Sequence, residues 1–281
     1  MKYAIGIVTF NPDELQLRES ISSLLTNKSA DCMIIADNHS SCQDLLSQIT
    51  NGDSRFVLIK NADNTGIAHA LNQICEKAIQ LGYEWVATLD QDSMMQPHML
   101  DHLIPYTQQT ELGIICPRIE DRNLGRQHTK NDQGTEYINY CITAGNLVRL
   151  EAWKKVGGFS EELFIDGVDF DFCLNLQNNG LRILRVNDVY LTQEIGHGHR
   201  ISLPFHRQIS ILNHSPLRLY YITRNYLYIG RKYHQKWHWT WEVLKRVFIV
   251  ICYEGNKRQK IQYILTGIRH YRKGRMGNYD R

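Results

Sequence analysis

Short apolar runs alternate with helical patterns through the first half of this 281-residue sequence, and this alternation limits the folds that the chain can adopt. Apolar runs of this length, hydrophobic on both faces, are typical of strands buried in a parallel sheet. Five occur, at residues 3–10, 32–37, 55–60, 85–90 and 112–117. Segments between them carry apolar residues at three- and four-residue spacing, as crossover helices do, at 15–25, 66–82 and 97–107. The pattern predicts an α/β fold with a mostly parallel central sheet flanked by helices.

Composition indicates an ordered globular protein. Hydrophobic residues make up 43% of the chain and only 6 residues are proline, which disfavours low-complexity disorder. No stretch approaches the roughly 20 apolar residues of a spanning helix, and the opening MKYAIGIVTFNPDE becomes polar too soon for a signal peptide. The 7 cysteines are scattered without a Cys-x-x-Cys pair, as expected for buried thiols in a reducing compartment. Together these features predict a cytoplasmic location.

The second half of the chain continues the α/β pattern and then becomes helical. Residues 117–139 are polar and lack periodicity, which predicts a loop or flap. Two helices and a strand are predicted after it, at 150–156, at about 168–178 and at 181–186. From Ser215 onward the pattern is helical and rich in Arg, Tyr and Trp. We therefore predict an α/β domain at 1–205 and a basic, aromatic-rich helical region at 206–281.

Positive charge is concentrated at the C-terminal end. Residues 201–281 contain 16 Lys or Arg against three acidic residues, a net charge of +13, so residues 1–200 carry −10 of the total of +3. Cations interleaved with aromatic residues on helices are typical of helices that lie at a membrane surface. The alternative is a helical pair that packs on the domain with its Tyr and Trp in the core. No nucleic-acid-binding motif is present, so we expect peripheral membrane contact and no nucleic acid partner.

Polar residues follow the first four predicted strands at the point where each strand ends. Ligands of parallel sheets bind beyond the carboxyl ends of the strands, so these residues should gather along one edge. They are Thr9, Phe10 and Asn11 after the first strand, Asp37 and Asn38 after the second, Asn61, Asn64 and Gly66 after the third, and Asp90, Asp92 and Ser93 after the fourth. The sequence therefore predicts a binding site built from four loops.

The Asp-x-Asp pair formed by Asp90 and Asp92 is a candidate metal site. Residues two apart on an extended strand point the same way and lie roughly 6–7 Å apart, so both carboxylates can reach one cation. A hard divalent ion held by few protein oxygens and completed by phosphate oxygens fits Mg²⁺ or Mn²⁺. A solvated turn at the end of a strand is the alternative.

Three further residues, Asp37, Asn64 and Gly66, point to a nucleotide ligand. Asp37 ends a buried strand, where its carboxylate can accept hydrogen bonds from a nucleobase or a ribose hydroxyl. Asn64 and Gly66 open a helix whose free amides and dipole favour an anion such as a diphosphate. An ordinary helix cap or turn would explain each residue taken alone.

Three acids, Asp166, Asp169 and Asp171, surround the start of the helix predicted at about 168. A carboxyl group beside an anionic, partly dry cleft has a raised pKa and can act as general base towards an alcohol. Helix capping by one of them is the alternative, although three are more than a cap needs. Upstream, Gly145 and Asn146 suit close approach of the backbone to a sugar or acceptor, or form a plain turn.

Two histidines in EIGHGHR, His197 and His199, are candidates for contacting a metal ion or a phosphate, and plain surface exposure is the alternative for both.

Six sequence blocks, VTFNP, IADNHS, NTGIAHALN, LDQDS, TAGNL and FIDGVDFDFC, occur here in the order found in one enzyme family. With them the chain resembles inverting glycosyltransferases of the large GT-A family 2, particularly bacterial rhamnosyltransferases that use dTDP-rhamnose. The resemblance covers about residues 3–200, and SPLRLYYITRNYLY is similar to the C-terminal region of the rhamnosyl branch. It implies a Rossmann-like GT-A fold and a metal-dependent hexosyl transfer in the synthesis of bacterial surface polysaccharide such as O-antigen.

The resemblance also implies roles for individual residues. It implies that the nucleoside is held by Thr9, Asn11 and Asp37, with Asn64 and Gly66 near it. It implies that the cation and the donor diphosphate are bound by Asp90 and Asp92. The implied base is Asp169, with Asp171 as second choice and Asp166 as an acceptor contact. The Glu that precedes the base in the family is replaced here by Val168. Gln193 occupies the position of the family's auxiliary His, which leaves His197 as a substitute ligand.

The implied partners are a nucleotide-sugar donor, dTDP-rhamnose in preference to a UDP-sugar, and a saccharide or lipid-linked acceptor. A homodimer is a separate prediction, which the resemblance does not imply. Two rival functions differ in class. LDQDS loosely resembles the start of haloacid-dehalogenase phosphohydrolases, whose first Asp is a nucleophile, although that motif follows the first strand and here follows the fourth. The other rival is a nucleotide-sugar-binding protein without catalysis.

Overall fold

The computed structural model describes residues 2–25, 31–121, 125–126, 133–193, 199–203 and 207–279. The strands are β1 (Tyr3–Thr9), β2 (Met33–Asp37), β3 (Phe56–Lys60), β4 (Trp85–Asp90), β5 (Met94–Met95), β6 (Leu112–Asp121), β7 (Gly125–Arg126), β8 (Thr135–Ile138), β9 (Asn146–Arg149), β10 (Arg182–Gln193), β11 (His199–Leu203) and β12 (Arg207–Ile211). The α-helices are α1 (Glu14–Leu25), α2 (Gln43–Thr50), α3 (Ile67–Gln80), α4 (Met99–Leu103), α5 (Leu150–Val156), α6 (Val168–Asn178), α7 (Pro216–Lys232), α8 (Lys236–Tyr253) and α9 (Lys257–Arg272).

Ten of the described strands form one sheet, whose main path runs in the order β3-β2-β1-β4-β9-β6-β10-β5. β1 is parallel to both β2 and β4, with Thr9 opposite Asp37 and Val8 opposite Asp90. β9 lies antiparallel between β4 and β6, and β6 is parallel to β10. The register places the carboxyl ends of β1, β2 and β4 side by side, which is where the polar residues of the sequence were expected to meet.

Helices cover the sheet on both faces, and each face has its own apolar core. On one face the strands pack against α1, α2 and α4 through buried residues such as Leu17, Leu46 and Leu103. On the other, α3, α5 and α6 contribute residues such as Ile74 and Phe172. Strands buried on both faces need continuous apolar runs, as this sequence has. The prediction of an α/β fold with flanking helices is therefore confirmed.

One segment predicted to be a loop is partly strand. β6 continues beyond residue 117 as far as Asp121, and β8 lies within the predicted flap at Thr135–Ile138. Both pair with β10, in parallel and antiparallel fashion respectively. β8 alternates between exposed and partly buried side chains, so no apolar run marked it in the sequence. Residues 122–124 and 127–132 of the predicted flap lie outside the described residues.

The C-terminal region is helical from Pro216 onward and packs on the α/β body, whereas Arg207–Ile211, within the region predicted to be helical, forms strand β12. Gly267 of α9 allows close contact with α7, because a Cβ there would lie 2.7 Å from the Tyr220 carbonyl oxygen. Arg224 of α7 is fully buried and donates to the carbonyl oxygens of Gly277 (2.7 Å) and Leu163 (3.1 Å). The boundary predicted between 205 and 206 falls outside the described residues and stays a prediction. No helix in the described ranges is both long and apolar enough to cross a bilayer.

Candidate active site

A cleft of about 620 Å³ opens beyond the carboxyl ends of β1 and β4. Its walls come from the loops after the strands, the loop before α6, and helices α7 and α8. Among the predicted site residues it brings together Phe10, Asn38, Asn64, Gly66, Asp90, Asp92, Asp166 and Asp169. The sheet edge predicted from the strand ends is thus the floor of a cavity.

A second cavity of about 680 Å³ adjoins the cleft and shares Phe10 and Asn64 with it. Phe10 is 44% exposed, so its ring offers an apolar face on which a planar base can stack. Asn11, at the same cavity, accepts a hydrogen bond from the Ser41 amide through Oδ1 at 2.9 Å. The two cavities together provide room for an elongated ligand.

The carboxylate of Asp37 is fully buried and is bonded within the protein. Thr9 Oγ1 donates to Oδ1 at 3.0 Å, and the Ser40 amide donates to Oδ2 at 3.0 Å. The Ser40 hydroxyl also contacts Oδ1. Both oxygens therefore hold the loop after β2 in place and do not line either cavity. Direct contact of Thr9 or Asp37 with a nucleoside stays a prediction.

The start of α3 depends on Asn64 and Gly66. Asn64 Oδ1 accepts from the Asn38 amide group and from the Gly66 backbone N–H, both at 3.0 Å. Gly66 has φ +91°, and a Cβ there would lie 2.5 Å from the Phe164 carbonyl oxygen, so only glycine fits. Ile67 N–H donates to that same oxygen at 2.8 Å. This end of α3 thereby holds the loop that leads to α6.

The acidic pair at the end of β4 lies within the cleft. Gln193 Nε2 donates to Asp90 Oδ2 at 2.6 Å. Burial and the like charge of Asp92 raise the pKa of Asp90 to about 6, although the Gln193 hydrogen bond and the charge of Arg218 act in the opposite direction. Two neighbouring carboxylates, one of them with a raised pKa, concentrate negative charge in the cleft, and a cation would stabilise this charge.

These residues fit a divalent cation that is only partly coordinated by protein. The described residues contain no group of three or more His, Cys, Asp or Glu able to hold a metal ion. Two carboxylates supply hard oxygen ligands, and phosphate and water oxygens would complete the shell, which suits Mg²⁺ or Mn²⁺. Gln193, which occupies the position of the family's auxiliary His, donates a hydrogen bond to Asp90. His197 lies outside the described residues, and its metal role stays a prediction.

Asp169, at the start of α6, faces the same cleft. Its Oδ1 accepts from the Phe170 backbone N–H at 2.9 Å. The pKa of Asp169 is raised to about 7, chiefly by burial and also by the negative charges of Asp166 and Asp90, while the Phe170 hydrogen bond acts in the opposite direction. A carboxyl group with a pKa near neutrality, open to a cleft, is suited to accept a proton from an alcohol.

The loop before Asp169 has an unusual backbone. Phe164, Asp166 and Gly167 all have positive φ, at 66°, 61° and 85°, and such conformations persist in non-glycine residues only where the surroundings enforce them. Asn225 of α7 supplies that enforcement, because its Nδ2 lies 2.7 to 2.9 Å from the carbonyl oxygens of Leu163, Ile165 and Asp166. A helix of the C-terminal region thus fixes the loop that carries Asp169.

Asp171, the second choice as base, lies elsewhere. Its side chain is 1% exposed and forms an ion pair with Lys232 at 2.8 Å. The Ser160 hydroxyl donates to it at 2.6 Å. It does not line the cleft, and on a helix, residues two apart point in nearly opposite directions. This placement argues against Asp171 as the base and for a structural ion pair between α6 and α7.

Gly145 and Asn146 lie behind the cleft wall. Gly145 has φ +80°, and Asn146 is 3% exposed and donates to the Ile142 carbonyl oxygen at 2.6 Å. Their neighbours Ile142 and Thr143 line the cleft. The two residues shape the wall from behind, and direct contact with a sugar stays a prediction.

The C-terminal region contributes four polar cleft residues that were not predicted, His214, Arg218, Tyr226 and Arg246. Arg218 pairs with Asp166 at 2.7 Å. Burial and the nearby cations Arg218, Arg246 and Lys260 lower the pKa of His214 to about 3, so this ring is neutral. The basic, aromatic composition of the segment was visible, but it did not show that two arginines would reach the acidic site.

Comparison with known protein families identifies the family of this chain. Residues 4–163 match the family described as Glycosyl transferase family 2. The chain belongs to this family. The match includes β1 to β4 and the Asp90–Asp92 pair, and it ends before the acids at 166 to 171. The resemblance stated from the sequence is thereby confirmed, and the protein is a glycosyltransferase of family 2.

Individual relatives support the same assignment. The dTDP-rhamnosyl transferase RfbF from Shigella flexneri is 29% identical over 250 residues, which cover 83% of this chain and 80% of the relative. GalNAc-T7 with UDP, GalNAc and Mn²⁺ has a TM-score of 0.65 at 14% identity over 82% of this chain, which spans 48% of that protein. Mannosyltransferase PcManGT from Pyrobaculum calidifontis, in complex with GDP-Man and Mn²⁺, has a TM-score of 0.61 at 11% identity, covering 97% of this chain and 75% of that protein. The two structures confirm the GT-A fold.

Proposed function

We propose that this glycosyltransferase moves a sugar from a nucleotide sugar to an acceptor hydroxyl with inversion at the anomeric carbon. The observation that carries the proposal is that the Asp90–Asp92 pair and Asp169 meet in one cleft, although Asp92 and Asp169 are 77 positions apart in the sequence. The pair suits a cation with its diphosphate. Asp169, with a pKa of about 7, suits proton removal from an alcohol.

The proposed donor is dTDP-rhamnose, because the relative with 29% identity is named a dTDP-rhamnosyl transferase; a UDP-sugar is the alternative. The cavity beside Phe10 and Asn11 would take the nucleoside. Asp90 and Asp92 would hold Mg²⁺ or Mn²⁺, which neutralises a diphosphate leaving group when bound. Arg218 adds positive charge to the same cleft.

The chemical step follows from the position of the base. The acceptor oxygen forms its bond to the anomeric carbon while its proton passes to an Asp169 oxygen. The bond from that carbon to the diphosphate oxygen breaks in the same displacement, and the bonding electrons leave with the diphosphate. Asp166, which pairs with Arg218 at 2.7 Å and lines the same cleft as Asp169, would orient the acceptor. A single displacement inverts the centre without a covalent enzyme intermediate.

Incubation with a panel of nucleotide sugars tests the proposed donor. With Mn²⁺ or Mg²⁺ present, we expect release of nucleoside diphosphate from dTDP-rhamnose and much slower release from UDP- and GDP-sugars, measured by chromatography of the nucleotide products. A chelator should stop the release. Exclusive use of UDP-sugars would contradict the donor assignment and leave the glycosyltransferase function in place, whereas release of inorganic phosphate with a phosphorylated Asp90 would contradict both.

The activity should rise with pH through neutrality. The base must be ionised to accept a proton, and the pKa of Asp169 is raised from 3.8 to about 7. The protonated, inactive form therefore predominates below about pH 7, and kcat/KM should increase about tenfold per pH unit there and level off above it. A bound cation would move the inflection downward. A profile that is flat between pH 5 and pH 8 would contradict the role of Asp169.

The family and the charge support proposals for the remaining partners. We propose that the acceptor is a saccharide or a lipid-linked saccharide, and that the protein is cytoplasmic and contacts the membrane surface through its basic region. The homodimer stays a prediction. The net charge of +13 in residues 201–281 supports the membrane contact.

A further inference from the structure

One face of α8 exposes five large apolar side chains in a row. Trp237 is 90% exposed, Trp241 61%, Leu244 52%, Phe248 56% and Ile251 52%. The alternating four- and three-residue spacing places them on one side of the helix, over a length of about 21 Å at 1.5 Å per residue. We call these five residues the α8 stripe.

The opposite face of α8 packs against the rest of the protein. Trp239, Val243 and Val250 are buried there, and Arg246 on the same side lines the active-site cleft. The end of α8 is fixed by a buried ion pair between Glu254 and Lys260 at 2.7 Å. The helix therefore holds its position without the α8 stripe, whose residues can be changed without opening the core.

Exposure of so many apolar side chains to water is energetically unfavourable. Single exposed apolar residues are normal, but a continuous row that includes two tryptophans is typical of a surface that binds a partner. Tryptophan in particular prefers the boundary between water and lipid, where its ring is partly buried and its N–H stays hydrated.

The net charge of the C-terminal region distinguishes between partners. Lys236 and Lys245 lie on α8 beside the stripe. The region carries further exposed cations on α9 and after it, at Lys257, Arg258, Arg269, Arg272 and Lys273. In the described part of the C-terminal region the acids are Glu242, which pairs with Lys245, and the buried Glu254. Docking of a second copy through α8 would bring two net-positive regions together, whereas an anionic phospholipid surface would complement their charge.

We propose that the α8 stripe inserts into the headgroup region of an anionic phospholipid membrane, with α8 lying along the surface. Because Arg246 on the other side of the same helix lines the cleft, this contact holds the active site next to the membrane. The part of the proposal that concerns a lipid-linked acceptor rests on the proposed function. The lipid contact itself does not.

Vesicle co-sedimentation tests the proposal with the full chain. The probes are vesicles of phosphatidylcholine with phosphatidylglycerol and vesicles of phosphatidylcholine alone. Wild type should bind the anionic vesicles, and added salt should weaken the binding. The double variant Trp237→Ser with Phe248→Ser, which leaves the charge unchanged, should bind at least about tenfold more weakly, since two aromatic side chains no longer leave water. The matched control, Leu15→Ser with Leu81→Ser, changes exposed leucines at 67% and 44% on other surfaces and should bind as wild type does.

The outcomes separate the lipid contact from the catalytic function. Equal vesicle binding by the stripe variant and wild type, or no binding by wild type, would overturn the proposal. The proposal would also be overturned if light scattering showed a concentration-dependent dimer for wild type and the control variant but not for the stripe variant, because the partner of the α8 stripe would then be a second copy of the chain. Nucleoside diphosphate release measured without vesicles reports on catalysis alone, so a protein that binds vesicles but cleaves no donor contradicts the proposed function and leaves the lipid contact in place.

Discussion

Replacing Asp169 by asparagine is expected to lower sugar transfer by about 10²–10⁴-fold, the usual contribution of a general base, while the donor still binds. The amide has nearly the shape of the carboxylate and its oxygen can still accept from the Phe170 N–H, so the start of α6 should be kept. It cannot accept the acceptor proton. The measurement is kcat for transfer, with the dissociation constant of the donor from calorimetry beside it.

A matched control separates loss of the base from loss of a charge. Asp101 on α4 is exposed and its carboxylate pairs with His98 at 2.9 Å, away from the cleft, so Asp101→Asn should transfer at the wild-type rate. Asp169→Asn should also lose the rise in activity near pH 7 that the wild type shows. If Asp169→Asn kept kcat within threefold of wild type, another group would be the base, and Asp166, which lines the same cleft, would be the next to test.

The double variant Asp90→Asn with Asp92→Asn should lose both the cation and most of the activity. Neutral amides are poorer ligands for hard cations, so Mn²⁺ affinity should fall by at least about tenfold. Loss of about 3 kcal/mol of leaving-group stabilisation corresponds to about a 10²-fold lower rate. Manganese binding followed by electron paramagnetic resonance gives a readout that does not depend on activity.

The stability of this variant provides the check against misfolding. The pKa of Asp90 is raised to about 6 by burial and by Asp92, which means that the charged pair opposes folding at neutral pH when no cation is bound. Removing both charges should leave the thermal midpoint unchanged or raise it. A variant that binds Mn²⁺ and transfers sugar as the wild type does would contradict the metal site, and a lower midpoint would contradict the electrostatic account of the pair.

The C-terminal helices contribute to the cleft, so the α/β domain and the helical region do not act as two independent units. Asn225 holds the backbone of the loop before Asp169, and Arg218 pairs with Asp166 in the cleft. These contacts make α7 part of the candidate active site. The structure thus shows that this region packs on the domain, and the proposed membrane contact would use the exposed face of α8.

The sequence by itself determined the strands β1 to β4, β6 and the start of β10, the helices near 150 and 168, the acidic pair and the family. These features are local: an apolar run of six to eight residues or a repeat of three and four is read from neighbours in the chain. The polar residues at the strand ends could be assembled into one site because parallel strands with crossover helices bring their carboxyl ends to the same edge. The short strand β8 escaped this procedure because its side chains alternate at a sheet edge without an apolar run.

Only the tertiary structure decided which polar residues face the cleft. Asp169 and Asp171 are two residues apart at the same helix start, yet one lines the cavity and the other is buried against Lys232. Asp37 ends a strand as Asp90 does, yet its carboxylate oxygens accept hydrogen bonds from Thr9 and Ser40. The raised pKa values, the hold of Asn225 on the loop and the entry of Arg246 into the site likewise arise from contacts between residues far apart in the chain. Local patterns do not encode these contacts, because they depend on which surfaces meet once the apolar faces are buried.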